Sequence, residues 1–261
     1  MPSHNALGMF HAGTQVAFDL DPASRCEAKV PGVFVFITSE GSASMNIHAK
    51  TPMAVSVVQV GSQRLPGALT VPDSAIGVVV FAHGSGSSRF SPRNQLVARH
   101  LQANGMATLL FDLLQEDESE NPQNVFDIDL LSTRLTDAIR WLASQNETAG
   151  LSTGLFGAST GAAAALMTAA QPDSGVAAVV SRGGRPDLAG NLTHVKAPTL
   201  LIVGGEDRTV IELNEQALCR LPGKAKLEIV PGATHLFSEP DALEQVAQLA
   251  SDWFRVHLQS E

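Results

Sequence analysis

Apolar residues in this chain fall into short continuous runs that alternate with longer segments of helical periodicity. Continuous apolar runs occupy residues 76–82, 106–111 and 199–203. Runs of this kind are typical of central parallel strands whose two faces are both covered. Over residues 128–142, apolar side chains recur at steps of three and four residues, which indicates an amphipathic helix. Strands that alternate with helices through residues 53–261 predict an α/β fold, with a mainly parallel sheet and helices on both faces.

Turn and capping residues predict further strands and helices between the apolar runs. Residues 53–60 and 64–71 predict the two strands of a hairpin. A helix is predicted to begin at Ser91-Pro92, where Ser suits the N-cap and Pro the first turn, and to end at Asn104-Gly105. The acidic segment 115–124 is interpreted as a solvated loop. Further strands are predicted at residues 153–157, 176–180 and 226–230, and further helices at residues 160–170, 210–220 and 239–258.

Residues 1–50 carry a weaker pattern than the rest of the chain. Short strands are predicted at residues 16–20 and 33–37, with a turn between them. The histidines of this segment have no metal-ligand spacing. We interpret residues 1–50 as an N-terminal extension, either β-rich or partly disordered, that precedes a single α/β domain at residues 53–261.

Composition narrows the classes of function. The 261 residues are 44% hydrophobic, which is ample for the core of one large domain. A formal net charge of −9 argues against nucleic acid or an anionic membrane as a partner. No apolar run reaches the roughly 18 residues that a membrane-spanning helix needs. The N-terminus does not resemble a secretory signal, and Cys26 and Cys219 are interpreted as free thiols, so we expect a cytoplasmic protein.

Candidate chemistry begins at residues 157–161, which read Gly-Ala-Ser-Thr-Gly. This segment follows an apolar run and precedes an Ala-rich one, so it predicts a strand, a tight turn and a helix. It fits the G-x-S-x-G nucleophile elbow, in which Ser159 sits on a strained corner with its hydroxyl above the sheet. Gly157 and Gly161 lack a Cβ, so strand and helix can approach the corner closely. Because ordinary turns also produce this five-residue match, the assignment depends on an acid and a histidine that follow it.

Asp207 and His235 supply that acid and that base. Each follows a predicted strand, so both loops leave the same edge of a parallel sheet as Ser159. A serine hydroxyl needs a base to take its proton during attack, and histidine side chains titrate near neutral pH. Asp207 would orient the imidazole and stabilise its charged form. Glu206 is the competing acid. A loop histidine and a helix N-cap are the alternative roles for His235 and Asp207.

A glycine-rich turn, residues 83–88, follows the apolar strand at 76–82 directly and reads His-Gly-Ser-Gly-Ser-Ser. Enzymes with a nucleophile elbow place the second oxyanion-hole donor at this point. We assign the two donors to the backbone N–H groups of Thr160 and Ser85. His83 is interpreted as a brace of this loop, with contact to the substrate as the alternative. No G-K-[ST] follows the glycines, so a phosphate-binding loop is not indicated.

Together, the segments 83–88, 157–161, 204–207 and 231–235 resemble the α/β-hydrolase superfamily and, within it, the dienelactone-hydrolase-like branch. The resemblance covers about residues 53–261. It implies the α/β-hydrolase fold and an esterase or lactonase that works through an acyl-enzyme, with no metal and no organic cofactor. Dienelactone hydrolases proper use a cysteine nucleophile, whereas position 159 is serine. This difference favours ordinary carboxylic esters over dienelactone as substrates.

Four arginines lie near the predicted site. Arg182 and Arg185 follow the strand after the elbow, and Arg89 and Arg93 lie beside the glycine-rich turn. A guanidinium recognises a carboxylate through two hydrogen bonds, so Arg182 or Arg185 is a candidate for holding a carboxylate of the substrate. The alternative is a structural role, in which these arginines pair with acidic residues such as those at 116–120.

The sequence therefore predicts a serine hydrolase of small, short-chain carboxylic esters. Its pocket is expected to be open, because no long lid segment interrupts the core strands. Lactone, thioester or amide hydrolysis by the same three residues is the alternative reaction, and a non-enzymatic binding module is the alternative of another class. The expected partner is a small-molecule ester, and the sequence leaves open whether the chain forms a homodimer.

Overall fold

The structure, a computed structural model, describes residues 36–37, 43–44 and 53–259. The chain divides into two compact units, Met1–Pro52 and Met53–Glu261. In the first unit, strands β1 (Phe36–Ile37) and β2 (Ala43–Ser44) pair antiparallel. Strand β1 lies within the strand predicted at residues 33–37. The strand predicted at 16–20 and Cys26 lie outside the described residues.

Eight strands form one sheet in the second unit. They are β3 (Val55–Val60), β4 (Leu65–Thr70), β5 (Val78–Ala82), β6 (Ala107–Phe111), β7 (Thr153–Ala158), β8 (Val176–Arg182), β9 (Thr199–Gly204) and β10 (Ala225–Val230). Their spatial order is β10-β9-β8-β7-β5-β6-β4-β3. Strand β4 pairs antiparallel with β3 and with β6, and all other neighbours in this sheet pair parallel. The predicted hairpin and the mainly parallel sheet are both confirmed.

Helices cover both faces of this sheet. The longer ones are α1 (Pro92–Ala103), α4 (Ile128–Ala143), α5 (Thr160–Ala169), α6 (Arg208–Leu218) and α7 (Ala242–Leu258), and two short ones are α2 (Glu116–Ser119) and α3 (Pro122–Val125). Alternate residues of β5 explain the two layers: Val78 and Val80 pack with α4 and α5, whereas Val79 and Phe81 pack with α1 and α7. A strand buried on both faces has no polar side, so it appears in the sequence as a continuous apolar run.

One segment differs from its prediction. Residues 115–124, interpreted as a solvated loop, are largely exposed as expected, but they contain α2 and most of α3. Glu118 of α2 accepts a hydrogen bond of 2.6 Å from the guanidinium of Arg134, which is 7% exposed on α4. Helices of four residues are too short to show an apolar period, and a surface charge run gives no sign of a buried partner elsewhere in the chain. The acidic segment is therefore tied to the body of the domain.

Candidate active site

Ser159 occupies the sharp turn between β7 and α5. Its backbone has φ 52° and ψ −118°, a combination that is unfavourable for a residue with a side chain. Hydrogen bonds hold the turn in this shape: the Ser159 N–H donates to the carbonyl of Arg182 over 3.1 Å, and the Ser159 carbonyl accepts from the N–H groups of Ala162 and Arg185. Strain of this kind on a strand-to-helix corner is the feature that defines a nucleophile elbow.

The glycines around the turn are required by close backbone contacts. A Cβ at Gly161 would overlap the carbonyl oxygens of Ala82 and His83, and a Cβ at Gly157 would overlap the backbone of Ala162. These contacts bring the first turn of α5 against the end of β5. The glycine-rich turn 83–88 consequently lies beside Ser159 rather than on a separate part of the rim.

Asp207 and His235 form a hydrogen-bonded pair. The Nδ1–H of His235 donates to Oδ2 of Asp207 over 2.6 Å, although the two residues are 28 positions apart. The side chain of Asp207 is 16% exposed and that of His235 is 39% exposed. The competing acid, Glu206, forms no hydrogen bond or ion pair with His235 in the described part of the chain. With Nδ1 held by Asp207, Nε2 is the imidazole nitrogen left to exchange a proton with another group.

Ser159 and His235 line the same cavity, which has a volume of about 240 Å³. Gly84, Ser85 and Arg182 are among the other residues of its wall. Within residues 53–259, no hydrogen bond joins the Ser159 hydroxyl to His235. Catalytic hydrogen bonds often become short only when the substrate is bound, so the shared cavity is the informative observation here.

The two predicted oxyanion donors lie together but are not equivalent. The backbone N–H of Ser85 donates to the side-chain Oγ1 of Thr160 over 2.8 Å. Thr160 is the first residue of α5, so its own backbone N–H has no acceptor inside the helix. The hydroxyl of Thr160, which the sequence gave no reason to single out, thus connects the glycine-rich turn to the elbow.

His83 uses both of its ring nitrogens inside the protein. Nε2 accepts a hydrogen bond of 3.1 Å from the N–H of Leu113, so Nδ1 carries the proton and donates to the carbonyl of Gly84 over 3.0 Å. Burial lowers the pKa of His83, which favours this neutral form. The side chain is arranged as a brace and offers no free nitrogen to a substrate.

The four arginines near the site fall into two pairs. Arg185 donates two hydrogen bonds, of 2.8 and 2.7 Å, to the carboxylate of Asp187, and Arg89 is bound to Asp112. Arg182 and Arg93, in contrast, line the cavity that contains Ser159 and His235. The sequence could not distinguish these two pairs, because the distinction depends on which carboxylates lie next to each guanidinium.

A second, larger cavity of about 560 Å³ lies on the other side of the glycine-rich turn. Ser85 and Thr160 border it, and Leu113, Val125 and Leu131 supply apolar wall. Residues of α2 and the end of α3 form part of its wall.

Metal-ligand clusters and membrane-spanning helices are both absent from the described residues. Among them, no group of three or more His, Cys, Asp or Glu side chains is arranged to hold a metal ion. No helix in the same part of the chain is both long enough and apolar enough to cross a membrane.

Curated relatives match most of this chain but extend beyond it. Two proteins from Mycobacterium tuberculosis, each named a putative phosphoribosyl transferase, are 59% identical over 218 residues. The match covers 82% of this chain and 49% of theirs. The chain therefore spans about half the length of the curated relatives it matches.

A family model and solved structures agree with the fold. A dienelactone hydrolase from Anabaena variabilis is 55% identical with a TM-score of 0.75, covering 79% of this chain and 98% of its own. Est1E from Butyrivibrio proteoclasticus, at 14% identity, shares the fold with a TM-score of 0.66 over 79% of this chain and 99% of its own. Residues 65–258 match the model of the dienelactone hydrolase family. The chain belongs to the dienelactone hydrolase family and has the α/β-hydrolase fold.

Proposed function

We propose that this protein hydrolyses small carboxylic esters with Ser159 as nucleophile, through an acyl-enzyme intermediate. The observation that carries the proposal is the hydrogen bond between His235 and Asp207, beside a serine held on a strained elbow in the same cavity. Each of the three side chains has a simple alternative role on its own. Their meeting at one edge of the sheet, from three separate loops, favours catalysis.

The chemistry follows from the positions of these groups. The Ser159 Oγ attacks the ester carbonyl carbon while Nε2 of His235 takes its proton, and Asp207 stabilises the imidazolium through Nδ1–H. The tetrahedral intermediate then collapses, the C–O bond to the alcohol breaks, and His235 gives the proton to the leaving oxygen. Water attacks the acyl-enzyme in the same way and releases the acid. All protons return to their starting positions, so the cycle needs no cofactor.

Oxyanion stabilisation falls to the turn and the helix start. The backbone N–H of Thr160 lies in the first turn of α5 and has no acceptor inside the helix, and the helix dipole adds positive potential there. The N–H of Ser85 is the second donor. Because it already donates to Thr160 Oγ1, it would either share its hydrogen between that oxygen and the oxyanion or leave Thr160 Oγ1 and donate to the oxyanion alone. Removal of one such donor typically costs about 3 kcal/mol of transition-state stabilisation.

The cavities favour small substrates. The cavity beyond the glycine-rich turn has a volume of about 560 Å³ and is partly closed by α2 and α3. A short acyl chain fits this space, and polar residues of the wall, such as Gln115 and Glu116, interrupt the apolar surface that a long chain needs. We therefore expect acetate and butyrate esters to be hydrolysed faster than long-chain triglycerides.

Phosphoribosyl transfer, which the names of the curated relatives mention, is not the activity that this site favours. This chain covers 49% of those proteins, so the name describes a longer molecule. An elbow serine with a His–Asp pair is an arrangement for acyl transfer. Thioesters and lactones remain within reach of the same chemistry, and a comparison of kcat/KM across ester, thioester and lactone substrates ranks them.

A fluorophosphonate probe tests the proposal directly. The wild-type protein should be labelled, and Ser159→Ala should lose both the label and at least about a thousandfold of its ester hydrolysis. Ser238→Ala is the matched control, because Ser238 is exposed on the His235 loop but does not line the cavity. Undiminished ester turnover in Ser159→Ala would overturn the proposal.

A further inference from the structure

Arg182 is a buried charge that ester hydrolysis by Ser159, His235 and Asp207 does not use. It ends β8, directly beside the elbow, and is only 7% exposed. In the described part of the chain, its Nε and Nη1 are buried and have no hydrogen-bond partner. The Nε of Arg93, on the first turn of α1, is in the same condition. Guanidinium nitrogens in a protein interior are normally hydrogen-bonded, so these donors require an explanation.

The charge of Arg182 is not balanced by a carboxylate. Among residues 53–259, the ion pairs include Arg89 with Asp112, Arg134 with Glu118 and Arg185 with Asp187, but none that involves Arg182 or Arg93. Burial and the repulsion from Arg93 lower the pKa of Arg182 to about 10, so the guanidinium stays charged at neutral pH. A buried unpaired cation is costly to the folded state, and an anionic ligand would relieve that cost.

The position of Arg182 indicates which part of an ester the anion belongs to. Both Arg182 and Arg93 line the smaller cavity, together with Ser159 and His235. His235 must pass a proton to the leaving oxygen, so the alcohol part of the ester lies on the His235 side of the carbonyl. The larger cavity, beyond Ser85 and Thr160, is left for the acyl part.

We propose that Arg182, assisted by Arg93, binds an oxyanionic group, a carboxylate or a phosphate, on the alcohol part of the ester substrate. A guanidinium matches either group with two parallel hydrogen bonds. The ring of Phe237 lies 5.8 Å from the Arg182 guanidinium carbon and helps to hold it in place. This inference rests on the proposed ester hydrolysis, and it assigns that reaction a class of substrate: esters of small anionic alcohols or phenols.

Matched substrates test this assignment. The pair 3-acetoxybenzoate and its methyl ester differs in one negative charge on the leaving group, and 3-acetoxyphenyl phosphate provides the phosphate version. Phenyl hydrogen succinate and its methyl ester carry the same change on the acyl side. We expect wild type to prefer the anionic leaving group by at least about tenfold in kcat/KM, or about 1.4 kcal/mol. The acyl-side pair should show no preference that depends on Arg182.

Variants then separate binding from folding. Arg182→Gln should remove the leaving-group preference, and Arg182→Lys should retain part of it. Arg185→Gln, whose guanidinium is already bound to Asp187, should keep the wild-type ratio. Because the ratio compares the same two esters in every protein, the intrinsic reactivity of the leaving group cancels. If Arg182→Gln does not fold, Arg93→Gln carries the test and should reduce the ratio. A ratio that stays at the wild-type value in Arg182→Gln, or in Arg93→Gln where that variant carries the test, overturns the proposal.

Direct binding distinguishes the failure of this assignment from the failure of the proposed function. Calorimetry of Ser159→Ala with 3-hydroxybenzoate and with 3-hydroxyphenyl phosphate should show binding that weakens at least about tenfold when Arg182→Gln is added. Such binding without any ester hydrolysis by wild type would sustain the anion site and overturn the hydrolase. Hydrolysis of neutral esters without anion binding would support the hydrolase and overturn the anion site. The relative affinity of the two ligands shows whether the site prefers a carboxylate or a phosphate.

Discussion

Thr160 Oγ1 accepts a hydrogen bond from the backbone N–H of Ser85 over 2.8 Å, although the two residues are 75 positions apart. This bond joins the first turn of α5 to the glycine-rich turn after β5. It fixes one proposed oxyanion donor relative to the proposed nucleophile on the residue before Thr160, Ser159. The bond keeps the Ser85 N–H close to the elbow before the substrate binds, and during the reaction that N–H is shared with, or turns to, the oxyanion.

Replacement of Thr160 tests the value of this connection. Thr160→Val keeps the shape of the side chain but removes the acceptor, so the Ser85 N–H loses its fixed position. We expect kcat to fall about fivefold to tenfold with little change in KM, the effect of one hydrogen bond worth about 1 kcal/mol. Thr160→Ser keeps the hydroxyl and should behave like wild type. Equal kcat in Thr160→Val and Thr160→Ser would mean that the bond has no role in catalysis.

The assignment of the acid is tested by two adjacent carboxylates. Asp207→Asn removes the charge that faces Nδ1 of His235 and allows the wrong imidazole tautomer, so kcat should fall by about three to four orders of magnitude. Glu206→Gln is the matched control and should lose less than about threefold, since Glu206 forms no hydrogen bond or ion pair with the imidazole within the described residues. Ester hydrolysis by purified variants gives both values. A larger loss in Glu206→Gln than in Asp207→Asn would reverse the assignment.

Much of this arrangement could be predicted because the loops follow buried strands. The apolar runs of β7, β9 and β10 mark where each strand ends, and parallel strands deliver their C-terminal loops to one rim. Ser159, Asp207 and His235 could therefore be placed on the same edge without coordinates. The sequence already favoured Asp207 over Glu206, and the hydrogen bond from His235 to Asp207 supports that choice, which the two variants test.

The unpredicted features depend on contacts between distant segments. Strand β8 was predicted at residues 176–180, but its pairing with β9 continues to Arg182, which lies opposite Ile202. This extension carries the arginine into the interior, where sequence patterns do not anticipate an unpaired charge. Helix α2 was missed for a related reason, since its anchor, Arg134, lies on another helix.

The contribution of the Glu118–Arg134 ion pair to stability can be measured. Glu118→Gln would leave the guanidinium of Arg134, whose side chain is 8% exposed, without a charged partner. Because the Glu118 side chain is 27% exposed, we expect a loss of about 2 kcal/mol in the free energy of unfolding, less than for a fully buried pair. Arg140→Gln breaks an exposed pair of 3.8 Å with Asp137 and should cost less than about 0.5 kcal/mol. Urea unfolding of both variants decides whether the acidic segment is anchored or merely solvated.

His83 should make the stability of the fold depend on pH. Burial lowers its pKa below the usual 6.5, so between that lowered value and 6.5 the unfolded chain binds a proton that the folded chain does not. The free energy of unfolding should therefore fall as the pH drops below about 6.5, by at most about 1.4 kcal/mol per pH unit from this group. Above that pH both states are neutral at His83, and its contribution is constant.

A variant isolates this effect from the other titrating groups. His83→Gln keeps an oxygen that can accept from the Leu113 N–H but cannot titrate. Urea unfolding at about pH 8, 7, 6 and 5 compares the protein with this variant. We expect the stability difference between wild type and variant to be steady above about pH 7 and to shrink as the pH falls, because only wild type loses stability through this side chain. A difference that grows on acidification would mean that the folded state favours a protonated His83, which the two hydrogen bonds of its ring do not allow.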